Sequence, residues 1–84
     1  MRRINWISTN EDWTLDVCFT NGEVRKYDVR PLLQSEAFRE LEDVAIFKTA
    51  RNGGYFVAWD NDADLSADTL YLEGIPVTPA IESN

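Results

Sequence analysis

Three aspartates alternate along one short segment of the chain, Asp60, Asp62 and Asp64. Carboxylates in this alternation open a calcium-binding loop, in which positions 1, 3 and 5 supply oxygen ligands. The later positions depart from that pattern, because position 6 is Leu65 where glycine is needed and position 12 is Tyr71 where glutamate is needed. We therefore interpret the segment as a solvated turn, and a divalent-cation or small-molecule site in it stands as the alternative.

Catalytic side chains of the usual kinds are missing from the sequence. The chain has no histidine and one cysteine, which excludes Ser-His-Asp and Cys-His mechanisms, histidine-ligated metals and an internal disulfide. An acid–base pair would have to come from carboxylates such as Asp28, Asp64 and Asp68, and no pattern in the sequence brings them together. The prediction is a protein that is not an enzyme, with no catalytic residue, no metal and no cofactor.

The length of the chain limits the number of domains that it can form. With 84 residues the chain forms one domain, for which we expect residues 1–75, with a flexible tail over 76–84.

The formal net charge of the chain is −7, which disfavours direct nucleic-acid binding. Residues 43–84 hold 2 basic and 7 acidic side chains, so most of the excess acid is in the second half. No apolar run is long enough for a membrane span or a signal peptide, and the lone Cys18 favours the cytoplasm.

The dipeptide Asn21-Gly22 predicts the turn of a β-hairpin. The strand before it alternates in hydrophobicity, with Leu15 on its apolar face. A plain two-residue loop would set Leu15 across from Asp28, whereas a three-residue loop with a glycine bulge sets it across from Tyr27. We prefer the bulged register because it matches two apolar faces.

Helical spacing follows the hairpin. Apolar residues three or four apart between positions 33 and 47 predict a helical segment, either one bent helix or two short ones. Ser35 and Asp43 are the candidate N-caps in this segment, and Ser66 is the candidate N-cap of a short C-terminal helix that Gly74 closes.

The fold class predicted from these elements is α+β. Residues 3–7 and 55–59 have the β-branched and aromatic content of further strands. We expect a small antiparallel sheet of three to four strands, with one helical segment across it and a short C-terminal helix.

Three tryptophans are more than the core of so small a chain needs. Trp13 stands beside a polar turn, so we expect it to be the most exposed of them. Tryptophan is enriched at binding hot spots, which makes Trp13 a candidate contact for a partner.

The first of two distinctive blocks runs from Asn21 to Leu33 and has the pattern Asn-Gly-Glu-Val-Arg, aromatic-Asp-Val and Pro-Leu-Leu. Together with a second block further along the chain, it resembles a bacterial family, the domain of unknown function family 2442. The second runs from Trp59 to Tyr71, where Asp62 stands in place of a usual glycine and Ala67 in place of a usual proline. With the turn chemistry of their residue types, these blocks assign structural roles to six positions: Asn21, Gly22, Asp28, Pro31, Asp64 and Asp68.

The resemblance implies a small α+β domain and no established enzymatic activity. Some members of the family are encoded beside small proteins of another uncharacterised family, in a layout like that of toxin–antitoxin pairs. By analogy, this implies an antitoxin-like or accessory subunit.

The expected function is therefore that of a protein-interaction module. Its partner is expected to be another protein, basic in charge, and a second copy of the chain could also bind through a sheet edge. Neither nucleic acid nor a membrane is expected as a partner. The candidate contact residues are Trp13, Asp60, Asp62, Asp64 and Asp68.

Overall fold

The computed structural model describes residues 2–77 as an α+β fold. The helical elements are two 3₁₀ helices, Arg30–Gln34 and Arg39–Glu42, and two α-helices, Val44–Phe47 (α1) and Ala67–Glu73 (α2). The strands are Ile4–Thr9 (β1), Thr14–Phe19 (β2), Val24–Asp28 (β3), Arg51–Asn52 (β4), Phe56–Ala58 (β5), Asp64–Ser66 (β6) and Ile75–Pro76 (β7). None of the helices in this part of the chain is long and apolar enough to cross a membrane.

The first sheet is antiparallel and has the strand order β1-β2-β3-β7. Leu15 lies across from Tyr27, so the bulged hairpin register is confirmed. At the start of the expected tail over 76–84, Pro76 pairs with Arg25 and the Val77 N–H donates to the Val24 carbonyl at 2.9 Å. The rest of the predicted tail, 78–84, is outside the described residues.

A second sheet, of three strands, was not predicted. Its order is β4-β5-β6, again antiparallel, and its last strand, Asp64–Ser66, begins at the final residue of the predicted turn 60–64. The two sheets meet where the Ile4 N–H donates to the Gly54 carbonyl at 2.6 Å. The predicted fold class, with its antiparallel sheet of three to four strands and its short C-terminal helix, is confirmed.

The predicted helical segment consists of three short pieces. Asp43 caps α1, since its side chain accepts from the Ala45 N–H at 2.9 Å. Ser35 does not cap a helix; it ends the first 3₁₀ helix, and the second begins without a side-chain cap. Leu41 and Phe47 from this segment are fully buried. Each such side chain contributes about 1.5–3 kcal/mol to stability through its apolar burial.

Trp59 is the largest fully buried side chain, and it ties the helical pieces to the second sheet. Its ring stacks on Phe47 at a centroid distance of 6.1 Å and meets Phe38 edge-on at 6.3 Å. Its indole N–H donates to the Phe47 carbonyl at 2.8 Å, which satisfies the one polar atom of a buried ring.

Three hairpin turns have the same backbone geometry. In each, the residue at the fourth position has a positive φ: Trp13 at 63°, Gly22 at 91° and Asp62 at 71°. Each turn is closed by the same two backbone hydrogen bonds, as in a type I turn followed by a bulge. The residue before the positive φ also repeats its role, since a side-chain oxygen of Asp12, Asn21 or Asn61 accepts from the N–H two positions further on.

Candidate functional site

The alternating aspartates lie in and after the third of these turns. Asp62 takes the left-handed conformation that the usual glycine of the family pattern would adopt without strain. The turn therefore forms despite the substitution. Asp64 is not a turn residue but an exposed residue of β6, across from Ala58.

The turn does not assemble a group of metal ligands. Asp60 forms an ion pair with Arg51, so its carboxylate is neutralised locally. Within residues 2–77, no three Asp, Glu, Cys or His side chains are grouped so that they could hold a metal ion.

Trp13 is not the exposed tryptophan that the sequence indicated. It is half-buried, packs against the core and donates its indole N–H to the Leu41 carbonyl at 2.7 Å. That hydrogen bond and the packing offset the strain of a bulky residue at positive φ, about 1–3 kcal/mol. The exposed tryptophan is Trp6 on β1, whose side chain is 46% accessible.

The first family block places Asp28 and Pro31 where a strand gives way to a helix. Asp28 accepts from the Arg30 backbone N–H at 3.0 Å and from the Arg30 guanidinium at 2.9–3.0 Å. The guanidinium hydrogen bonds hold the pKa of the Asp28 carboxyl below its usual value. Pro31 opens the following 3₁₀ helix. The Asp28 carboxylate therefore accepts a backbone hydrogen bond where the strand gives way to the 3₁₀ helix.

The second family block contributes a capped helix. Ser66 is the N-cap of α2, as predicted, and accepts from the Thr69 N–H at 3.1 Å. Asp68 is in the first turn, where a carboxylate is favoured, and forms an exposed ion pair with Arg2 at 3.3 Å. Gly74 ends α2 with a φ of −73°, so its role is spatial: an added Cβ would meet the Leu70 carbonyl oxygen.

The two family blocks meet at Tyr71. The guanidinium carbon of Arg25 is 4.1 Å from the Tyr71 ring centroid, and that of Arg2 is 3.9 Å from it. The Tyr71 hydroxyl donates to Glu23 at 2.8 Å, and Arg25 also pairs with Glu23 at 2.7 Å. Through these contacts the two blocks form one polar joint between β3 and α2.

An open groove of about 510 Å³ lies at the end of β3. Tyr27 and Lys26 line it together with Glu73, and the Tyr27 hydroxyl is 3.5 Å from the Glu73 carboxylate. Burial raises the pKa of the Tyr27 phenol, and the nearby Glu73 charge acts in the same direction. Lys26 pairs with Asp16 at 3.2 Å, and Asp28 pairs with Arg30 at 2.9 Å.

The carboxylates that remain without an ion pair lie mostly outside the predicted set. Of the predicted contacts, Asp60 and Asp68 are paired with arginines, whereas Asp62 and Asp64 are not. The 3₁₀ region adds exposed acids that sequence reasoning missed, and their local density, interrupted by Arg39, was the available signal. We call the following exposed residues, none of which forms an ion pair within residues 2–77, the acidic surface: Glu36, Glu40, Glu42, Asp43, Asp62 and Asp64.

One ring contact packs the helical segment against the residue before the third turn. Phe38 lies among the acids of the 3₁₀ region in sequence, and Trp59 immediately precedes the third turn. The two rings meet edge-on at a centroid distance of 6.3 Å.

Comparison with known proteins agrees with this organisation. A model of the family described as a protein of unknown function, DUF2442, matches residues 7–76, which include both blocks. Searches of curated proteins and of solved structures found no match. The chain therefore belongs to the DUF2442 family.

Proposed function

We propose that this chain is a non-enzymatic protein-interaction module that binds a basic partner protein through the acidic surface. The observation that carries the proposal is the distribution of ion pairs. Six ion pairs among residues 2–77 engage six of the 8 basic side chains: Arg2, Arg25, Lys26, Arg30, Lys48 and Arg51.

Most of the carboxylates of residues 2–77 that form no ion pair belong to the acidic surface, and the others are Asp12 and Glu73. The acidic surface has six carboxylates and only Arg39 among them. Such a field attracts a basic protein over distances comparable to the Debye length, about 8–10 Å at physiological salt. It mainly accelerates encounter and rejects acidic competitors, with a smaller effect on affinity. An antitoxin-like or accessory subunit with a basic companion fits this behaviour.

Two variants with equal net charge test the proposal. Glu36→Gln with Glu40→Gln removes two charges from the acidic surface, whereas Glu11→Gln with Asp68→Asn removes two charges elsewhere. We expect a pull-down from the native host to recover a basic protein with the wild type and the second variant, and much less with the first. Equal recovery with both variants, or no protein recovered at low and moderate salt, would contradict the proposal.

The alternative function is a divalent-cation or small-molecule site at the turn 60–64. Among residues 2–77, Asp62 and Asp64 form no ion pair, and this observation favours the alternative. Calcium and magnesium titrations followed by tryptophan fluorescence test this directly, because Trp59 adjoins the turn. A flat titration with both ions would remove the cation site.

A further inference from the structure

Strand β1 forms one edge of the first sheet. The Asn10 N–H donates to the Thr14 carbonyl of the hairpin that follows, so the even-numbered residues of this part of β1 turn their backbone groups toward β2. The N–H and C=O groups of Ile7 and Thr9 therefore point away from the sheet. No residue in the described part of the chain hydrogen-bonds to them.

The rest of this edge is covered. The Ile4 N–H donates to the Gly54 carbonyl at 2.6 Å, and the Asn52 side chain donates to the Ile4 and Asn5 carbonyls at 3.1 and 3.3 Å. The bulge in β1 lies at this covered end, between Ile4 and Trp6. The open stretch, Ile7–Thr9, is called the β1 edge below.

The β1 edge lacks the features that prevent an edge strand from pairing with the strand of another chain. Natural edges are protected by charged side chains, proline, bulges or a covering element. Residues 6–10 are Trp, Ile, Ser, Thr and Asn, with no charge and no proline. An edge of this kind is complementary to another extended strand.

We infer that the β1 edge pairs with the same edge of a second copy of this chain, antiparallel and centred on Ser8. In that register the outward groups of Ile7 face those of Thr9 in the second copy, and the symmetry repeats the pair. Four backbone hydrogen bonds form, and Ser8 faces its own copy at the two-fold axis. The interface is then self-complementary, as a two-fold dimer requires.

The charges favour a second copy over a basic partner at this position. A chain with net charge −7 repels its copies wherever acids are in excess, so self-association needs a neutral contact. Ser8 is across from Asp16 in the sheet, and Lys26 neutralises that carboxylate at 3.2 Å. The carboxylate beside Ser8 is already neutralised, so it offers a basic strand no free negative charge. A second copy of the chain meets no electrostatic repulsion at the same place.

The exposed Trp6 is consistent with the same register. Its side chain is 46% accessible and lies on the same face of the sheet as Ser8. In the dimer Trp6 is across from Asn10 of the second copy, which covers part of the ring. The inference does not depend on the proposed function, because the acidic surface includes no residue of β1.

Sedimentation of the purified chain tests the inference with a matched pair of variants. We expect the wild type to associate from its 9.6 kDa monomer to a dimer as concentration rises. Ser8→Lys sets two ammonium groups face to face at the two-fold axis and should weaken the dimer about tenfold or more. The monomer tolerates this lysine, because it is exposed and across from Asp16. Ser35→Lys adds the same charge away from the edge and should leave the dimer intact.

Cross-linking checks the register. Residues facing each other in a non-hydrogen-bonded pair have Cα atoms about 4.5 Å apart, which suits a disulfide. Ser8→Cys should therefore form a disulfide-linked dimer on mild oxidation, and Ser35→Cys should not. A wild type that stays monomeric, a dimer that survives Ser8→Lys, or equal cross-linking of both cysteine variants would each overturn the inference.

Discussion

Arg25 on β3 contacts the C-terminal end of α2 at Tyr71. Its guanidinium carbon is 4.1 Å from the Tyr71 ring centroid, and its guanidinium donates to the Tyr71 carbonyl at 3.0 Å. A cation at the C-terminal end of a helix donates to carbonyls that have no partner within the helix. It also interacts favourably with the negative end of the helix dipole. The contact spans 46 positions of sequence, so it fastens the last helix to the hairpin.

Replacing Arg25 with lysine should therefore destabilise the fold. An ammonium keeps the charge but loses the planar contact with Tyr71 and the simultaneous hydrogen bonds to Glu23 and the Tyr71 carbonyl. We expect a loss of about 1–2 kcal/mol in the free energy of unfolding, measured by urea denaturation. Arg39→Lys, at an exposed arginine without an ion pair in residues 2–77, should change it by less than about 0.5 kcal/mol. Equal effects at both positions would contradict this assignment.

Replacing Asp62 with valine should lower the stability of the fold, whereas replacing Asp64 with valine should not. Both changes remove one negative charge. Asp62 has a φ of 71°, where a β-branched residue is strained by about 1–2 kcal/mol. Asp64 is an exposed strand residue, where valine is favoured. Thermal unfolding of the two variants under identical conditions makes the comparison. A lower melting temperature for Asp64→Val than for Asp62→Val would contradict the turn geometry.

Phenylalanine in place of Trp59 should cost about 2–4 kcal/mol in unfolding free energy. The smaller ring leaves a cavity and removes the N–H that satisfies the Phe47 carbonyl at 2.8 Å. The matched change Trp6→Phe affects an exposed ring and should cost less than about 0.5 kcal/mol. Urea titrations of both variants provide the measurement, and the prediction fails if the two midpoints shift together.

Replacing Glu23 with glutamine should reduce the loss of unfolding free energy that occurs as the pH falls below 4.5. Hydrogen bonds from Arg25, and then from the Tyr71 hydroxyl, lower the pKa of Glu23 from its ordinary 4.5. A carboxyl whose pKa is lower in the folded state contributes stability above its unfolded pKa and loses it as the pH falls through the folded value. The contribution is thus present above pH 4.5 and fades below it.

The measurement for Glu23 is the unfolding free energy of wild type and Glu23→Gln at a series of pH values. The two curves should converge as the pH falls below 4.5 and separate above it. Trp6→Phe, which changes no ionisable group, serves as the control and should run parallel to the wild type. Parallel curves for Glu23→Gln would show that the joint around Tyr71 does not favour the charged carboxyl.

Much of the local structure could be predicted because its signals are local. Asp43 and Ser66 cap their helices through hydrogen bonds that reach only two or three residues ahead. The hairpin register followed from matching the apolar faces that carry Leu15 and Tyr27. The family blocks added Asp28, whose hydrogen bonds to Arg30 are equally short in range.

The candidate site was harder to predict, because its exposure and pairing depend on distant residues. Trp13 is turned inward by the Leu41 carbonyl, 28 positions away, so its neighbourhood in sequence indicated the wrong exposure. Asp68 is neutralised by Arg2, 66 positions away.

The sequence alone determined the α+β class, the Asn21-Gly22 turn, the caps at Asp43 and Ser66 and the exclusion of histidine chemistry, since composition and short-range hydrogen bonding decide these features. Only the tertiary structure decided that Pro76 adds a strand to the first sheet, that Trp6 and not Trp13 faces solvent, and that the Phe38 ring packs against Trp59. The physical reason is that solvent exposure and charge neutralisation depend on which distant segments pack together.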